Sequence, residues 1–230
     1  MVVSEKEEKP KIKKKLNRRF FLKSLLWTLV ILVALILLLA VGIYVFGFEG
    51  KIITKIAGLI PFPVASVDGH LVFFNDFAEV KSALKEADSF FLSRGIISQE
   101  VYEKNLQNLN KNILRGMVRN KKVEILLAER GARVINKEVD TETNKVLSQV
   151  ENTDLIKEKI KELYNWDIEI YKEYVIRPEM ERLKLERVVS AELGEKSFDD
   201  WFIEKMAGAE VKVFLKGYKW DKESLSVVEK

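Results

Sequence analysis

The sequence predicts a mainly α protein: a single N-terminal transmembrane helix, then a multi-helix domain with a small β-sheet formed by its N- and C-terminal strands. Three observations lead there. Residues 24–48 run for 25 positions without a charged side chain. Beyond them, apolar residues recur at spacings of three and four through most of the chain, the period of a helix with one buried face. Alternating segments suited to strands occur near the start and end of this region, around Val64–Phe73 and Ala209–Leu215.

The anchor comes first. SLLWTLVILVALILLLAVGIYVFGF exceeds the roughly 20 residues that cross a hydrocarbon core of about 30 Å. Trp27 near one end and Tyr44 with Phe46 near the other suit the two interfaces. Residues 1–23 hold nine basic and three acidic side chains, a net +6, whereas the whole chain carries +4. The part after the anchor is therefore −2. The basic pI of about 9.0 belongs to a short tail and does not point to a nucleic-acid surface. By the positive-inside rule, residues 1–23 form a basic cytoplasmic tail and everything beyond the anchor is extracytoplasmic. A cleaved signal peptide would have a shorter apolar core and an A-x-A-type site, and Gly47-Phe48-Glu49-Gly50-Lys51 is not one. Arg18-Arg19-Phe20-Phe21-Leu22-Lys23 also resembles a twin-arginine export signal, with Asn17 where Ser or Thr is typical; that route ends in the same compartment.

Residues 49–62 read as a juxtamembrane connector and residues 63–220 as the domain, with 221–230 as a C-terminal tail. Within the domain, Asp68-Gly69 sits between two short strands, a strong hairpin signal. Asn75 is placed to cap a helix to about Ser93, with Phe77, Val80, Leu84, Ala87 and Phe91 on one face. Ser98 caps a second helix through Tyr102, Leu106, Leu109, Ile113, Met117, Val123 and Leu127, bending near Gly116 and ending at Gly131. Asn136 opens a third through Val139, Val146 and Val150, and Asp154 a fourth with Leu155, Ile160 and Leu163 inward. Asn165 opens a longer one, kinked or restarted at Pro178, which lacks an N–H and clashes one turn back. Ser197 and Asp200 have capping-box spacing ahead of a last helix, and Ala209–Leu215 follows as a strand paired with the first.

With these residues in place, positions 63–215 resemble the chaperone module of the SurA/PrsA/PpiD group of periplasmic and cell-surface foldases. The resemblance rests on the opening strand, Asp68-Gly69 turn, strand and helix; on Ile125–Val139 (ILLAERGARVINKEV); on Asn165–Leu185, with Pro178 ahead of Lys184-Leu185; and on the closing Trp201–Leu215. It implies a SurA-like helical chaperone domain binding unfolded or nascent exported polypeptides without ATP. Members often carry a parvulin prolyl isomerase inserted before the closing helix and strand. Here that interval is the seven residues Ser190–Lys196, so isomerase activity is not expected.

The residues themselves suggest no enzyme. There is no cysteine, the single histidine is His70, and no phosphate-cradling glycine motif occurs, so no cofactor or metal site is expected. Asp199 and Asp200 suit a helix's first turn, and Glu158-Lys159 and Glu181-Arg182 read as solvated helix faces. Candidate client-binding residues are Met117, Tyr164, Trp166, Tyr171, Tyr174 and Met180, because deformable and aromatic side chains suit adaptable apolar contact. The competing reading is that these residues simply form core between helices. The expected partners are exported polypeptides and, through the anchor, the lipid bilayer. The alternative is an anchored scaffold docking on one dedicated envelope protein, for which a compact rimmed patch would speak where a broad cradle would speak for many clients.

Overall fold

Asp68 and Gly69 close the first hairpin because both adopt positive φ, 48° and 82°, which matches the right-handed twist of the flanking strands. The computed structural model describes residues 18–44, 61–149 and 152–230 of the chain. The predicted connector, residues 49–62, and the basic tail, residues 1–23, fall mostly outside the described residues. The described chain is mainly helical, with two small antiparallel sheets.

The hairpin strands are β1 (Pro63–Val67) and β2 (His70–Phe73). The register shifts between Pro63 and Ala65, at a proline that has no N–H to give the ladder. The closing strand β3 (Val211–Val213) pairs antiparallel with β1 on its other side, Ala65 opposite Val213 and Val67 opposite Val211. The order β2-β1-β3 brings the two ends of the domain together, as the alternating segments predict. Being central and covered on both faces, β1 buries Val64, Ala65 and Val67 completely.

The helices are α1 (Arg18–Tyr44), α2 (Phe74–Ser93), α3 (Gln99–Glu129), α4 (Asn136–Ser148), α5 (Thr153–Tyr164), α6 (Ile168–Tyr171), α7 (Arg177–Val188), α8 (Ser190–Leu193) and α9 (Phe198–Ala207). A two-stranded hairpin, β4 (Tyr218–Asp221) and β5 (Ser226–Glu229), ends the chain. In α1, Leu25–Gly42 has a mean hydropathy of 3.0 and is almost wholly uncovered by protein. By length and composition it is one helix able to cross a membrane. Its last residue is tied to the domain: the Tyr44 hydroxyl donates to the Pro63 carbonyl at 2.7 Å and its ring meets Phe62 edge-on.

At 31 residues, α3 is about 46 Å long and is the spine of the domain. The main core lies between α3, the three-stranded sheet, α2, α7 and α9, with Phe74, Phe77, Leu114, Leu127, Leu185 and Met206 fully buried. A second, smaller core joins α2, α5 and α6 around Ala83, Ile160 and Trp166.

Several starts and faces differ from the sequence reading. Asn75 lies inside α2, which begins directly from β2 because Phe74 N–H donates to the Phe62 carbonyl. Leu84 is exposed and Phe91 half-covered; the buried face runs through Phe77, Ala83 and Ala87. Helix α3 continues unbroken past Gly116. Asn136 is already helical, and Glu138 caps by accepting from Ile135 N–H at 2.9 Å. Val146 is exposed, with Thr143 buried in its place, and Val150 falls outside the described residues. Asn152, not Asp154, caps α5. Asn165 ends α5 in the left-handed conformation (φ 55°), and Asp167 caps α6. Residues 221–230 are no tail: they complete β4 and supply β5, and Val227 is buried.

Two predicted caps are present. Ser98 accepts from Val101 N–H, and Ser197 accepts from Asp200 N–H while donating to the Asp200 carboxylate. The expected restart at Pro178 is also seen: the chain widens into a π-helical turn, Lys172–Ile176, and α7 begins just after it with Pro178 in its first turn. The extra residue in that turn re-aims Glu173 and Tyr174 relative to α7.

Candidate functional site

Helix α3 carries Asn112, Gly116 and Asn120 along one side, and the missing side chain at Gly116 leaves open space there. Opposite stand the exposed edge of α2, strand β2, and the π-helical turn leading into α7. Between them lies a cleft of about 700 Å³. Its apolar lining includes Leu71, Val80, Leu84, Met117, Tyr174 and Pro178. Leu71 and Leu84 are exposed large hydrophobics, and Met117 is half-buried beside the fully packed Leu114 and Val118.

The six candidate binding residues separate. Met117 and Tyr174 line the cleft. Tyr164, Trp166 and Tyr171 belong to the small core: Trp166 is 4% exposed and stacks on Tyr164 at 5.4 Å and on Tyr174 at 5.5 Å. The indole Nε1–H donates to the Glu79 carboxylate at 2.9 Å. This aromatic stack fixes α5 and α6 against α2 and presents only Tyr174 to the cleft. Met180 is half-buried on α7 and is not part of the cleft lining. Trp166→Phe is expected to cost about 1–2 kcal/mol, through the lost indole hydrogen bond and ring volume, read as a lower denaturation midpoint.

Charged groups rim the cleft. The Tyr174 hydroxyl donates to Asp76 at 3.1 Å. Burial raises the Asp76 carboxyl above its ordinary range, more than this hydrogen bond and Lys121 lower it. Burial and then the Asp76 charge push the Tyr174 phenol upward. Lys121 pairs with Glu124 one turn on, and Arg177 Nε donates to Glu173 at 2.7 Å. Arg177 also reaches the Val134 carbonyl and Asn136 Oδ1, pinning the loop before α4. Glu181, read from the sequence as an ordinary solvated position, is half-buried in the cleft wall. Burial, with the charges of Glu124 and Glu173, pushes its carboxyl up to about 7, against the opposing pull of Arg177 and Lys121. Its neighbours in sequence are charged, so helix periodicity alone hides it. The signal lies in its spacing of three from Pro178, itself a cleft residue.

Among the described residues no group of three or more His, Asp or Glu side chains is placed to hold a metal ion. His70 is exposed beside the hairpin turn. No family model matches the chain, and no curated protein or solved structure is significantly similar to it. The cleft has an apolar floor ringed by both signs of charge.

Proposed function

We propose that the chain is a membrane-anchored, extracytoplasmic module of the SurA-like chaperone type that binds unfolded exported polypeptides without ATP. The carrying observation is the open 700 Å³ cleft, whose floor combines a flexible methionine with exposed leucines. Methionine adapts to differently shaped side chains because it is unbranched and polarisable. The pairing of β3 with β1, which closes the domain as the resemblance requires, supports the same reading. So does the apolar helix α1, with its basic flank placed on the cytoplasmic side by the positive-inside rule. Binding is by shallow apolar contact, and release is by simple dissociation.

The expected result is that the full chain in lipid nanodiscs suppresses aggregation of a chemically unfolded client at stoichiometric excess. Met117→Glu, which puts a charge on the apolar floor, removes most of that protection. A folded wild-type protein that gives none at that excess overturns the reading.

A dedicated envelope partner is favoured by one observation. With Tyr164, Trp166 and Tyr171 in the small core, the apolar floor left in the cleft is compact and rimmed by charge. Protection of several unrelated clients, equally weakened by Met117→Glu, decides for the chaperone; protection of none, with one partner retained on crosslinking, decides for the scaffold.

A further inference from the structure

Three of the four carboxylates in the cleft are already engaged. Asp76 accepts from the Tyr174 hydroxyl, Glu124 pairs with Lys121, and Glu173 accepts from Arg177. The fourth, Glu181 on α7, is half-buried and makes no hydrogen bond or ion pair among the described residues. The nearby cations act on it only through space, because their direct bonds go elsewhere. Arg177 divides its guanidinium among Glu173, Val134 and Asn136, and Lys121 is held by Glu124. Arg133 lines the same cleft but is exposed.

A partly desolvated carboxylate with no hydrogen bond or ion pair of its own is a standing cost to the fold. It is relieved when a cation arrives from outside, because a charge-assisted hydrogen bond is stronger where water is scarce. The space beside Glu181 is the cleft, whose lining also holds the apolar Leu71, Val80, Leu84 and Met117. Cation and hydrocarbon are thus called for together in one cleft.

We propose that the cleft selects polypeptide segments in which a lysine or arginine is flanked by apolar residues, the cation against the Glu181 carboxylate and its neighbours over Leu84, Met117 and Tyr174. This rests on the polypeptide-binding reading above and specifies its substrate class. The groups facing Glu181 are Glu124 and Lys121 from α3, Glu173 and Arg177 from the π-helical turn and the start of α7, with Asp76 of α2 and Arg133 on the remaining walls. A bound cation favours ionised Glu181. Because burial raises that carboxyl to about 7, affinity for a basic segment rises as pH increases from 6 to 8.

The test uses the full chain in nanodiscs and fluorescence anisotropy of labelled decapeptides rich in leucine and phenylalanine, identical except for one central arginine, norleucine or glutamate. The arginine peptide is expected to bind about tenfold more tightly than the norleucine peptide at pH 8, and the glutamate peptide most weakly. That preference shrinks at pH 6. Glu181→Gln erases both the preference and its pH dependence, whereas Glu158→Gln, on an exposed face of α5, keeps both. Glu181→Gln is also expected to melt no lower than the wild type at pH 8, since it removes an unpaired ionised group. Equal wild-type affinity for the arginine and norleucine peptides, or a preference that survives Glu181→Gln, overturns the proposal and leaves polypeptide binding standing. Absence of binding by all three peptides overturns both.

Discussion

Phe77→Ala is expected to lower the stability of the domain by about 3–5 kcal/mol, the largest effect of any single truncation considered for this chain. Phe77 is fully buried on α2, where its ring meets Phe74 at 6.3 Å and its outer face lies under the Lys81 ammonium at 5.8 Å. It stands where the sheet, α2 and α3 converge, so a deletion there leaves a cavity that rigid neighbours on three elements cannot close. Phe91 makes the contrast. Simple periodicity assigns it to the same face, yet it is only half-covered and packs its ring edge-on against Phe90. Phe91→Ala is expected to cost about 1 kcal/mol. Denaturant unfolding of the two variants, with the full chain in detergent, separates them. Equal losses would show that the helical stripe read from the sequence, and not the observed packing, describes α2.

Asp68→Ala is the second large loss, expected at about 2 kcal/mol. Asp68 does more than turn the hairpin. One carboxylate oxygen accepts from Lys122 Nζ at 2.7 Å and the other from Glu210 N–H at 2.8 Å, while its own N–H donates to the Glu210 carbonyl. The opening hairpin, the spine helix and the entry to β3 therefore meet on one side chain. Removing it strands the Lys122 ammonium, whose side chain is only 10% exposed. Full burial of both partners would make the loss about 3–5 kcal/mol, but Asp68 keeps contact with water and the smaller figure applies. Burial pushes the Asp68 carboxyl up, but the hydrogen bonds from Lys122 and Glu210, with the charges of Lys122 and His70, outweigh it and hold the carboxyl below its ordinary value. A carboxylate more acidic in the folded than in the unfolded chain stabilises above the unfolded pKa of about 4, and that stability is lost as pH falls through the lower, folded value. The gap in melting temperature between wild type and Asp68→Ala should accordingly be full at pH 7 and close below about pH 4. A gap that is constant with pH would remove the electrostatic account.

Features set by a few adjacent residues were legible in the sequence. The Asp68-Gly69 turn, the Ser98 cap and the Ser197–Asp200 box depend on backbone groups within three positions, so the local pattern suffices. Caps failed where a distant group took the role. An asparagine ahead of an apolar run marks a helix start on average, but α2 starts at Phe74 because the Phe62 carbonyl already holds its N–H. Asn165 looked like another start and is the left-handed end of α5. The segment from Tyr218 onward is short and charged. Its fold depends on contact with α3, where Asn110 donates to the Tyr218 hydroxyl at 3.1 Å across more than a hundred residues of chain. The aromatic candidates were visible as a group, yet their periodicity could not say whether Trp166 faces water or Ala83.

The sequence by itself determined the apolar helix, the charge divided across it, the mainly helical domain and the two terminal strands, because transfer from water and helix or strand period belong to each segment alone. Only the tertiary structure decided which apolar faces are covered. It drew three of the aromatic residues into a small core, left Leu84 and Met117 open, and turned Glu181 from a solvent-facing glutamate into an unpaired carboxylate in a cleft. Periodicity gives the direction of an apolar face and not what packs on it, and neither a cleft nor a missing counter-charge exists until distant segments meet.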